Sequence, residues 1–342
     1  MSYASMEKAL KFLPIFLGGG IGDIIISLAW MNHVIKPLNI PVKFYCQFPQ
    51  IGEYFLPWVE ICGNIRQSEY DKHLFDYYIN LSDMVNFQVK NINKMPESLK
   101  NLYLDWGKIS KEWENFILKN PLEGNQMAHK AIKLGLNRRT LAFYMVNKIY
   151  KPYYLDNVED INIPNKFITI HDGFDASNHY KFERSTKSWD INSLNILVKL
   201  FKKNYPDIHV IQIGGVKHRK INNVDINLAG QISFETSLRY LKSSILHIDI
   251  ESGLIHARRL FNKQSIVLFG PTNVDYFSYK ENINIAPKFC GDCWWIERDW
   301  MARCKEGYST PKCMDSISVL TVFKEILKII PHQKTFINTE II

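Results

Sequence analysis

The stretch FLGGGIGDIIISLAW, residues 16–30, places one carboxylate, Asp23, between a run of glycines and a long apolar segment. Glycines allow a tight backbone turn and let another molecule come close, so we expect Gly20 and Gly22 to border a substrate. Asp23 would lie in the first turn of a helix, where it either acts on that substrate or caps the helix, which contributes about 1 kcal/mol. The glycine spacing differs from that of dinucleotide-binding sites, and no Lys-Ser or Lys-Thr pair follows as in a phosphate-binding loop.

A second polar cluster lies in residues 171–190, HDGFDASNHYKFERSTKSWD. Here Ser185, Thr186 and Lys187 come just before a predicted helix. Hydroxyl groups and a lysine at such a place suit an anionic group such as a diphosphate, because a charged donor strengthens the hydrogen bond. The alternative interpretation is a solvated loop that binds nothing.

A third cluster, HIDIESGLIHARRL, occupies residues 247–260. Its predicted strand ends in two acids, Asp249 and Glu251, which could hold the hydroxyls of a sugar. Ser252 and Gly253 then open a predicted helix, whose unpaired N–H groups and dipole favour a phosphate. His256 follows on that helix, and a single histidine in such a position is more often structural than catalytic.

Two glycine turns follow other predicted strands. Gly214 and Gly215 end the stretch HVIQIGG, and Thr272 follows the Gly-Pro turn after SIVLFG. The carboxyl ends of parallel strands meet at one edge of a sheet, where ligands bind. We therefore expect these residues to border the same site as the third cluster.

Four cysteines gather near the carboxyl end of the chain. Cys290 and Cys293 have the C-x₂-C spacing of metal ligands, and Cys304 and Cys313 follow after ten and eight further residues. Together they could hold a structural zinc or iron ion. The alternative is a group of reduced thiols packed around the neighbouring tryptophans, as expected of free cysteines in a reducing compartment.

Strands alternate with helices in two series, which predicts an α/β fold with two parallel sheets. We place domain boundaries at 1–155 and 165–320, with a cysteine-rich insert at 290–313 and a C-terminal helix and tail at 318–342. The predicted strands are 13–18, 42–48, 75–81, 167–173, 209–215, 245–250 and 264–272. The predicted helices are 23–36, 191–205, 234–244, 253–261 and 318–330, together with a helical region at 107–150.

Composition is that of a globular protein with 46% hydrophobic residues and a net charge of +8, which favours anionic partners. The basic residues are scattered, which argues against a nucleic-acid-binding face. No cleavage site follows the first apolar run, and Pro14, four glycines and Asp23 interrupt residues 12–30, which argues against a signal peptide and a membrane span. We therefore expect a cytoplasmic protein.

Taken together, GGIGDIIISLAW, STKSW, the 226–261 segment, SIVLFGPT and the cysteine cluster resemble glycosyltransferase family 9, which contains the bacterial ADP-heptose:lipopolysaccharide heptosyltransferases. The resemblance implies a GT-B fold, two facing Rossmann-like domains with a central cleft, and inverting sugar transfer without a catalytic metal. It implies that Asp23 is the general base and that Lys187 neutralises the donor phosphates. Ser252, Gly253, Leu254 and His256 match the family's diphosphate-binding motif. The chain departs from that motif at Glu251, where the family has aspartate.

The resemblance further implies transfer of heptose from ADP-heptose to a hydroxyl of lipopolysaccharide, lipooligosaccharide or another cell-surface glycan. Such an enzyme would work in the cytoplasm, with peripheral contact at the inner membrane. An alternative of the same fold is a protein or capsule glycosyltransferase, since the acceptor side, residues 85–150, is the least familiar part of the sequence. A more remote alternative is a nucleic-acid-binding protein without enzymatic activity.

Overall fold

The computed structural model describes residues 12–63, 72, 74–82, 84–117, 124–163, 166–173 and 184–331. The chain divides into two compact units, Met1–Tyr154 and Leu155–Ile342. Part of the second polar cluster, 174–183, and the predicted C-terminal tail beyond 331 lie outside the described residues.

The first unit contains a five-stranded sheet in the order β3-β2-β1-β4-β5. All its strand pairs are parallel except the hairpin of β4 and β5. Every residue of β1 is buried, as expected of a central parallel strand with a continuous apolar sequence. The strands are β1 Leu13–Leu17, β2 Val42–Cys46, β3 Glu60–Ile61, β4 Tyr77–Leu81 and β5 Val85–Val89.

Helix α1 starts directly after the glycine turn that ends β1, and buries Ile24, Ile25 and Leu28. The predicted helix 23–36 is confirmed, although its second half is a π-helical turn, Met31–Ile35. The helical region predicted at 107–150 begins earlier than expected, with a helix that follows Pro96. The helices of this unit are α1 Ile21–Trp30, α2 Pro49–Phe55, α3 Glu97–Ser110, α4 Glu114–Ile117, α5 Gly124–Lys133 and α6 Arg138–Tyr144.

The second unit contains a six-stranded, fully parallel sheet in the order β11-β10-β9-β6-β7-β8. This is the strand order of a doubly wound Rossmann sheet, in which ligands bind at the carboxyl ends of the strands. The strands are β6 Phe167–Ile170, β7 His209–Gln212, β8 Ile226–Asn227, β9 Leu246–Ile250, β10 Ile266–Leu268 and β11 Ile283–Ile285.

Side-chain caps define several helix starts in the second unit, with Asp190, Ser233, Ser252 and Ser318 each accepting a bond from a backbone N–H. The helices are α7 Ile191–Asn204, α8 Phe234–Ser243, α9 Gly253–Arg259, α10 Val274–Phe277, α11 Lys312–Asp315 and α12 Val319–Ile329. Within the described part of the chain, no helix combines the length and apolar character that crossing a bilayer needs.

Candidate functional site

Asp23 and the glycine turn fit closely together in the first unit. Gly20 caps helix α1, and its backbone N–H donates to Asp23 Oδ2 at 2.6 Å. Gly19 has a φ of +107°, and a Cβ atom at this position would lie 2.2 Å from Asp23 Oδ2. Gly22 is the second residue of α1. The capping role predicted as the alternative for Asp23 is therefore present, and it also fixes the direction of the carboxylate.

The other carboxylate oxygen of Asp23 accepts a hydrogen bond from the guanidinium of Arg138, and the two side chains form an ion pair. Arg138 is the first residue of α6, a helix capped by Asn137. It lies 115 residues away in sequence, and no motif around it indicates a partner. Asn137 and Thr140 form a capping box, so the sequence could have predicted the helix start but not the ion pair.

Lys187, Glu251 and His256 form a continuous chain of contacts in the second unit. Lys187 Nζ lies 2.6 Å from Glu251 Oε2, and His256 Nε2 lies 3.3 Å from Glu251 Oε1. His256 Nδ1 in turn lies 2.9 Å from the Tyr279 hydroxyl. Burial alone would favour the neutral acid, but Lys187 and His256 together hold the pKa of the Glu251 carboxyl well below its usual range. Lys187 and His256, both predicted to bind the sugar donor, thus contact the buried, ionised carboxylate of Glu251.

Ser252 joins the end of β9 to the start of α9. Its hydroxyl oxygen accepts from the Leu254 backbone N–H at 3.1 Å, and the same hydroxyl donates to Asp249. Gly253 is the first residue of α9. This arrangement brings Ser252 next to Glu251 but ties its side chain to Asp249, two residues before Glu251.

Asp249 is buried and accepts hydrogen bonds from four directions. His171 Nδ1 lies 2.7 Å from Oδ1, His247 Nε2 lies 3.3 Å from Oδ2, and the Ile250 N–H and the Ser252 hydroxyl complete the set. These donors hold the pKa of the Asp249 carboxyl below its usual range against the effect of burial. Burial lowers the pKa of His171, but the negative charge of Asp249 outweighs burial and the pKa is raised. For His247 burial is the larger effect, and its pKa is lowered.

Asp172 forms a second carboxylate centre beside His171. It lies 2.6 Å from His218 Nδ1 and accepts the backbone N–H of Arg219 at 2.8 Å. Within the described ranges, His171, Asp172 and His218 are the one set of His, Cys, Asp and Glu side chains whose ligand atoms all lie within 4.8 Å of one another. Arg219 also donates its Nε to Asp172, so the carboxylate already has a cationic partner and fits a hydrogen-bonded network better than a metal.

The glycines predicted near this edge make room for a side chain. A Cβ atom at Gly214 would lie 2.7 Å from His218 Nδ1, and one at Gly215 would lie 3.0 Å from His218 Nε2. Sequence reasoning missed His218, because VKHRK looks like a solvated charged loop.

Of the two predicted threonines, Thr186 donates its hydroxyl to the Trp300 carbonyl at 2.8 Å. The buried Thr272 hydroxyl has no hydrogen-bond partner among the described residues.

The four clustered cysteines carry free thiols and line one cavity of about 20 Å³, together with Thr186. That volume is enough for one water molecule. Burial raises the pKa of the Cys293 and Cys313 thiols to about 12. The sulfur atoms of the four cysteines lie farther apart than the ligand atoms of His171, Asp172 and His218. A bound ion would therefore have to draw the thiols together and deprotonate them. Thiolates are ligands that zinc and iron accept, so the residue types suit such an ion, but the thiols are not already assembled into a four-ligand site.

Comparison with solved structures identifies proteins with a similar fold. A scan against models of protein families finds no match, and a search of curated proteins also finds none. Among solved structures, the iron-containing dodecameric glycosyltransferase TibC from enterotoxigenic E. coli H10407 aligns with 94% of this chain and 77% of its own, at 14% identity and a TM-score of 0.58. The chain has the fold of the family 9 glycosyltransferases.

Two further structures with this fold agree along almost their full length. The E. coli heptosyltransferase WaaC with ADP has a TM-score of 0.53 at 12% identity, covering 93% of this chain and all of WaaC, 100%. The family 9 glycosyl transferase from Veillonella parvula has a TM-score of 0.51 at 12% identity, covering 95% and 99%. These matches confirm the predicted GT-B class of α/β fold.

The GT-B fold separates the predicted site residues into two groups. Asp23, Gly20 and Gly22 lie at the end of β1 in the first unit, while the others belong to the second unit. There the structure brings Lys187, Glu251 and His256 into direct contact and links Ser252 to them through the end of β9. Gly214 and Gly215 face His218, and Thr186 faces the cysteine segment.

Proposed function

We propose that the protein is an inverting glycosyltransferase that moves a sugar from a nucleoside diphosphate to an acceptor hydroxyl. The observation that carries this proposal is the buried Lys187–Glu251–His256 cluster at the carboxyl edge of a Rossmann sheet, in a chain with the family 9 fold. A lysine that a carboxylate holds in place beside a helix start suits a diphosphate leaving group.

In the proposed reaction, Asp23 takes the proton of the acceptor hydroxyl as its oxygen bonds to the anomeric carbon of the donor sugar. The bond between that carbon and the diphosphate breaks from the opposite face, so the configuration inverts. The electron pair leaves with the diphosphate, where Lys187 and the start of α9 stabilise the growing negative charge. The domain at 1–155 would bind the acceptor, and the domain at 165–320 would bind the donor.

The donor we propose is ADP-heptose. TibC has been solved in complex with ADP-D-beta-D-heptose and WaaC with ADP, so nucleotides of this class fit the fold. Lys187, which Glu251 holds in place, offers a positive charge to the diphosphate, and Thr272 offers a hydroxyl with no hydrogen-bond partner among the described residues. The acceptor we propose is a cell-surface glycan of the lipopolysaccharide type, met in the cytoplasm at the inner membrane, where a net charge of +8 favours an anionic glycolipid.

We also propose that Cys290, Cys293, Cys304 and Cys313 hold one structural zinc or iron ion. TibC is described as iron-containing. Four thiolates would complete a tetrahedral shell, which leaves no open position for substrate, so the ion would stabilise the cysteine-rich segment.

The proposed function is tested by incubating the purified protein with a panel of nucleotide sugars and candidate acceptors, followed by mass spectrometry of the products. We expect release of nucleoside diphosphate and a mass increase of one heptose on a lipopolysaccharide-type acceptor. A heptose added to a protein or capsule acceptor would correct the acceptor only. No transfer with any donor, together with no binding of nucleoside diphosphates, would contradict the proposal.

A further inference from the structure

Thr186, in the loop that carries Lys187, forms two hydrogen bonds with the cysteine-rich segment. The Thr186 backbone N–H donates to the Met301 carbonyl at 3.0 Å, and its hydroxyl donates to the Trp300 carbonyl at 2.8 Å. Thr186 is only 4% exposed, so both bonds are shielded from water. The residue next to Lys187 is thereby held by two consecutive carbonyls of the cysteine-rich segment.

Lys187 itself lies against the same segment. Its ammonium lies 6.0 Å from the ring centroid of Trp300, at the outer limit of a cation–π contact, and also bonds to Glu251. Trp300 is buried, so the ring is a fixed surface.

Two cysteines bracket this contact region. Trp300 and Met301 come after Cys293 and shortly before Cys304 in the sequence, and the cavity that the four cysteines line is also lined by Thr186. The two carbonyls that hold Thr186 thus lie on the stretch of chain between two cysteines that line the same cavity as Thr186.

A second link ties the other end of the loop to the same region. Arg184 forms an ion pair with Asp315, which follows Cys313 on helix α11, and Arg184 also donates to the Ser188 carbonyl at 3.4 Å. Residues 184–188 are thus fastened to this region at Arg184 and at Thr186, and the Arg184–Ser188 bond closes the loop around Lys187.

We propose that the segment 293–304 positions Lys187 for the donor diphosphate, with Thr186 as the connecting residue and Trp300 as a positioning residue. This inference rests on the proposed function. It changes the expected role of the cysteines, because an ion or a change at the thiols would alter donor affinity as well as stability. Coupling between two sites is reciprocal, so binding of the donor would also change how the thiols bind an ion.

The first test needs no ligand. Amide hydrogen exchange is followed in the peptide 184–190 of the parent protein, of Cys293→Ser and of the control Cys62→Ser, which lies in the first unit. We expect exchange of this peptide to become at least about fivefold faster in Cys293→Ser, since the Met301 carbonyl loses its fixed position, and to stay unchanged in Cys62→Ser. Unchanged exchange in a folded Cys293→Ser protein would overturn the proposal.

If Cys293→Ser does not fold, Thr186→Val replaces it, because valine keeps the shape and removes only the bond to Trp300. We then expect the Cys304 thiol to react faster with a thiol reagent than in the parent protein, with Thr321→Val in helix α12 as the matched control. Equal thiol reactivity in the parent and Thr186→Val would overturn the proposal.

The second test is a double-mutant cycle on ADP binding, measured by calorimetry for the parent, Cys293→Ser, Thr186→Val and the double variant. We expect each single change to weaken ADP binding about tenfold and the double variant to be weaker by little more, because both changes break one path. Independent, multiplying effects would overturn the path through Thr186. If the parent binds no nucleoside diphosphate, the proposed function fails. Hydrogen exchange in the peptide 184–190 still tests whether the segment 293–304 positions Lys187.

Discussion

The ammonium of Lys187 lies 2.6 Å from Glu251 Oε2, and both side chains are largely buried. Glu251 contacts the lysine with one oxygen and His256 with the other, so the three residues form one cluster around the Glu251 carboxyl. Removing one partner of such a buried pair leaves the other charge uncompensated. Any substitution of Lys187 must therefore be judged by ligand binding and by stability separately.

Lys187→Ala should weaken nucleoside diphosphate binding about 10- to 100-fold, the loss expected for a hydrogen bond between charged groups, and should slow transfer further. Calorimetry with ADP measures the first effect. Lys202→Ala is the matched control, because Lys202 pairs with Asp225 in a more exposed position. Unchanged ADP affinity in Lys187→Ala would remove this residue from the donor site.

Asp23→Asn should reduce turnover by a factor of roughly 10²–10⁴, because the amide cannot take the acceptor proton. ADP affinity should barely change, since Asp23 belongs to the other unit. Steady-state kinetics and calorimetry on the same preparation separate the two effects, with Asp105→Asn as a control at a solvent-facing pair. Near-normal turnover would leave Asp23 with a capping role alone.

Gly19→Ala tests whether the direction of the Asp23 carboxylate matters. A Cβ atom at Gly19 would meet Asp23 Oδ2 at 2.2 Å, and its φ of +107° disfavours alanine, whereas nothing lies within 4 Å of a Cβ at Gly18. Turnover should therefore fall at least about tenfold in Gly19→Ala and stay near normal in Gly18→Ala. Equal turnover in the two folded variants would show that the glycine turn does not orient the base.

The lowered pKa of Glu251 predicts a pH dependence of stability. A carboxyl whose pKa is lower in the folded state contributes stability above its unfolded pKa of about 4.5, and this contribution is lost as the pH falls below that value. Glu251→Gln removes the titrating group, so its free energy of unfolding should fall less steeply between pH 5 and pH 3, by up to about 1.4 kcal/mol per pH unit. Urea unfolding across this range measures the slope, and the exposed Glu235→Gln should keep the parent's slope.

The elements that position the site were predictable because their signals are local. A buried parallel strand is a continuous apolar run, as in LPIFL, the whole of β1, and its glycine turn follows directly. Ser252 precedes α9 as a capping residue should. The glycine turn, the strand ends and the helix starts therefore fix which part of the chain carries Asp23, Lys187 and Glu251.

The partners of those residues could not be predicted, because they come from distant parts of the chain. Arg138 meets Asp23 across 115 residues, and Trp300 meets Thr186 across 114. A loop sequence such as VKHRK does not indicate that its histidine packs against His171, with ring centroids 4.7 Å apart. Thr186 was expected to contact the donor, yet its hydroxyl bonds to the protein itself.

The cysteine site yields the last prediction, that protein purified without added metal contains close to one equivalent of zinc or iron. A tight turn favours this, because Cys290, Gly291 and Asp292 all have positive φ, which brings Cys290 and Cys293 to one cavity. Burial raises the pKa of Cys293 to about 12, so without a cation the thiol stays protonated, and a bound ion would displace its proton.

Elemental analysis of the parent and Cys293→Ser measures the metal, and thermal unfolding measures what it contributes. Cys293→Ser should lose most of the metal and unfold at a lower temperature, because one ligand of the tetrahedral shell is gone. Cys46→Ser is the matched control, since Cys46 is a buried thiol in the first unit, far from the cluster in sequence; it should lose stability without losing metal. Less than about a tenth of an equivalent of any transition metal in the parent, the amount expected of scattered thiols, would leave packing as the function of all four cysteines.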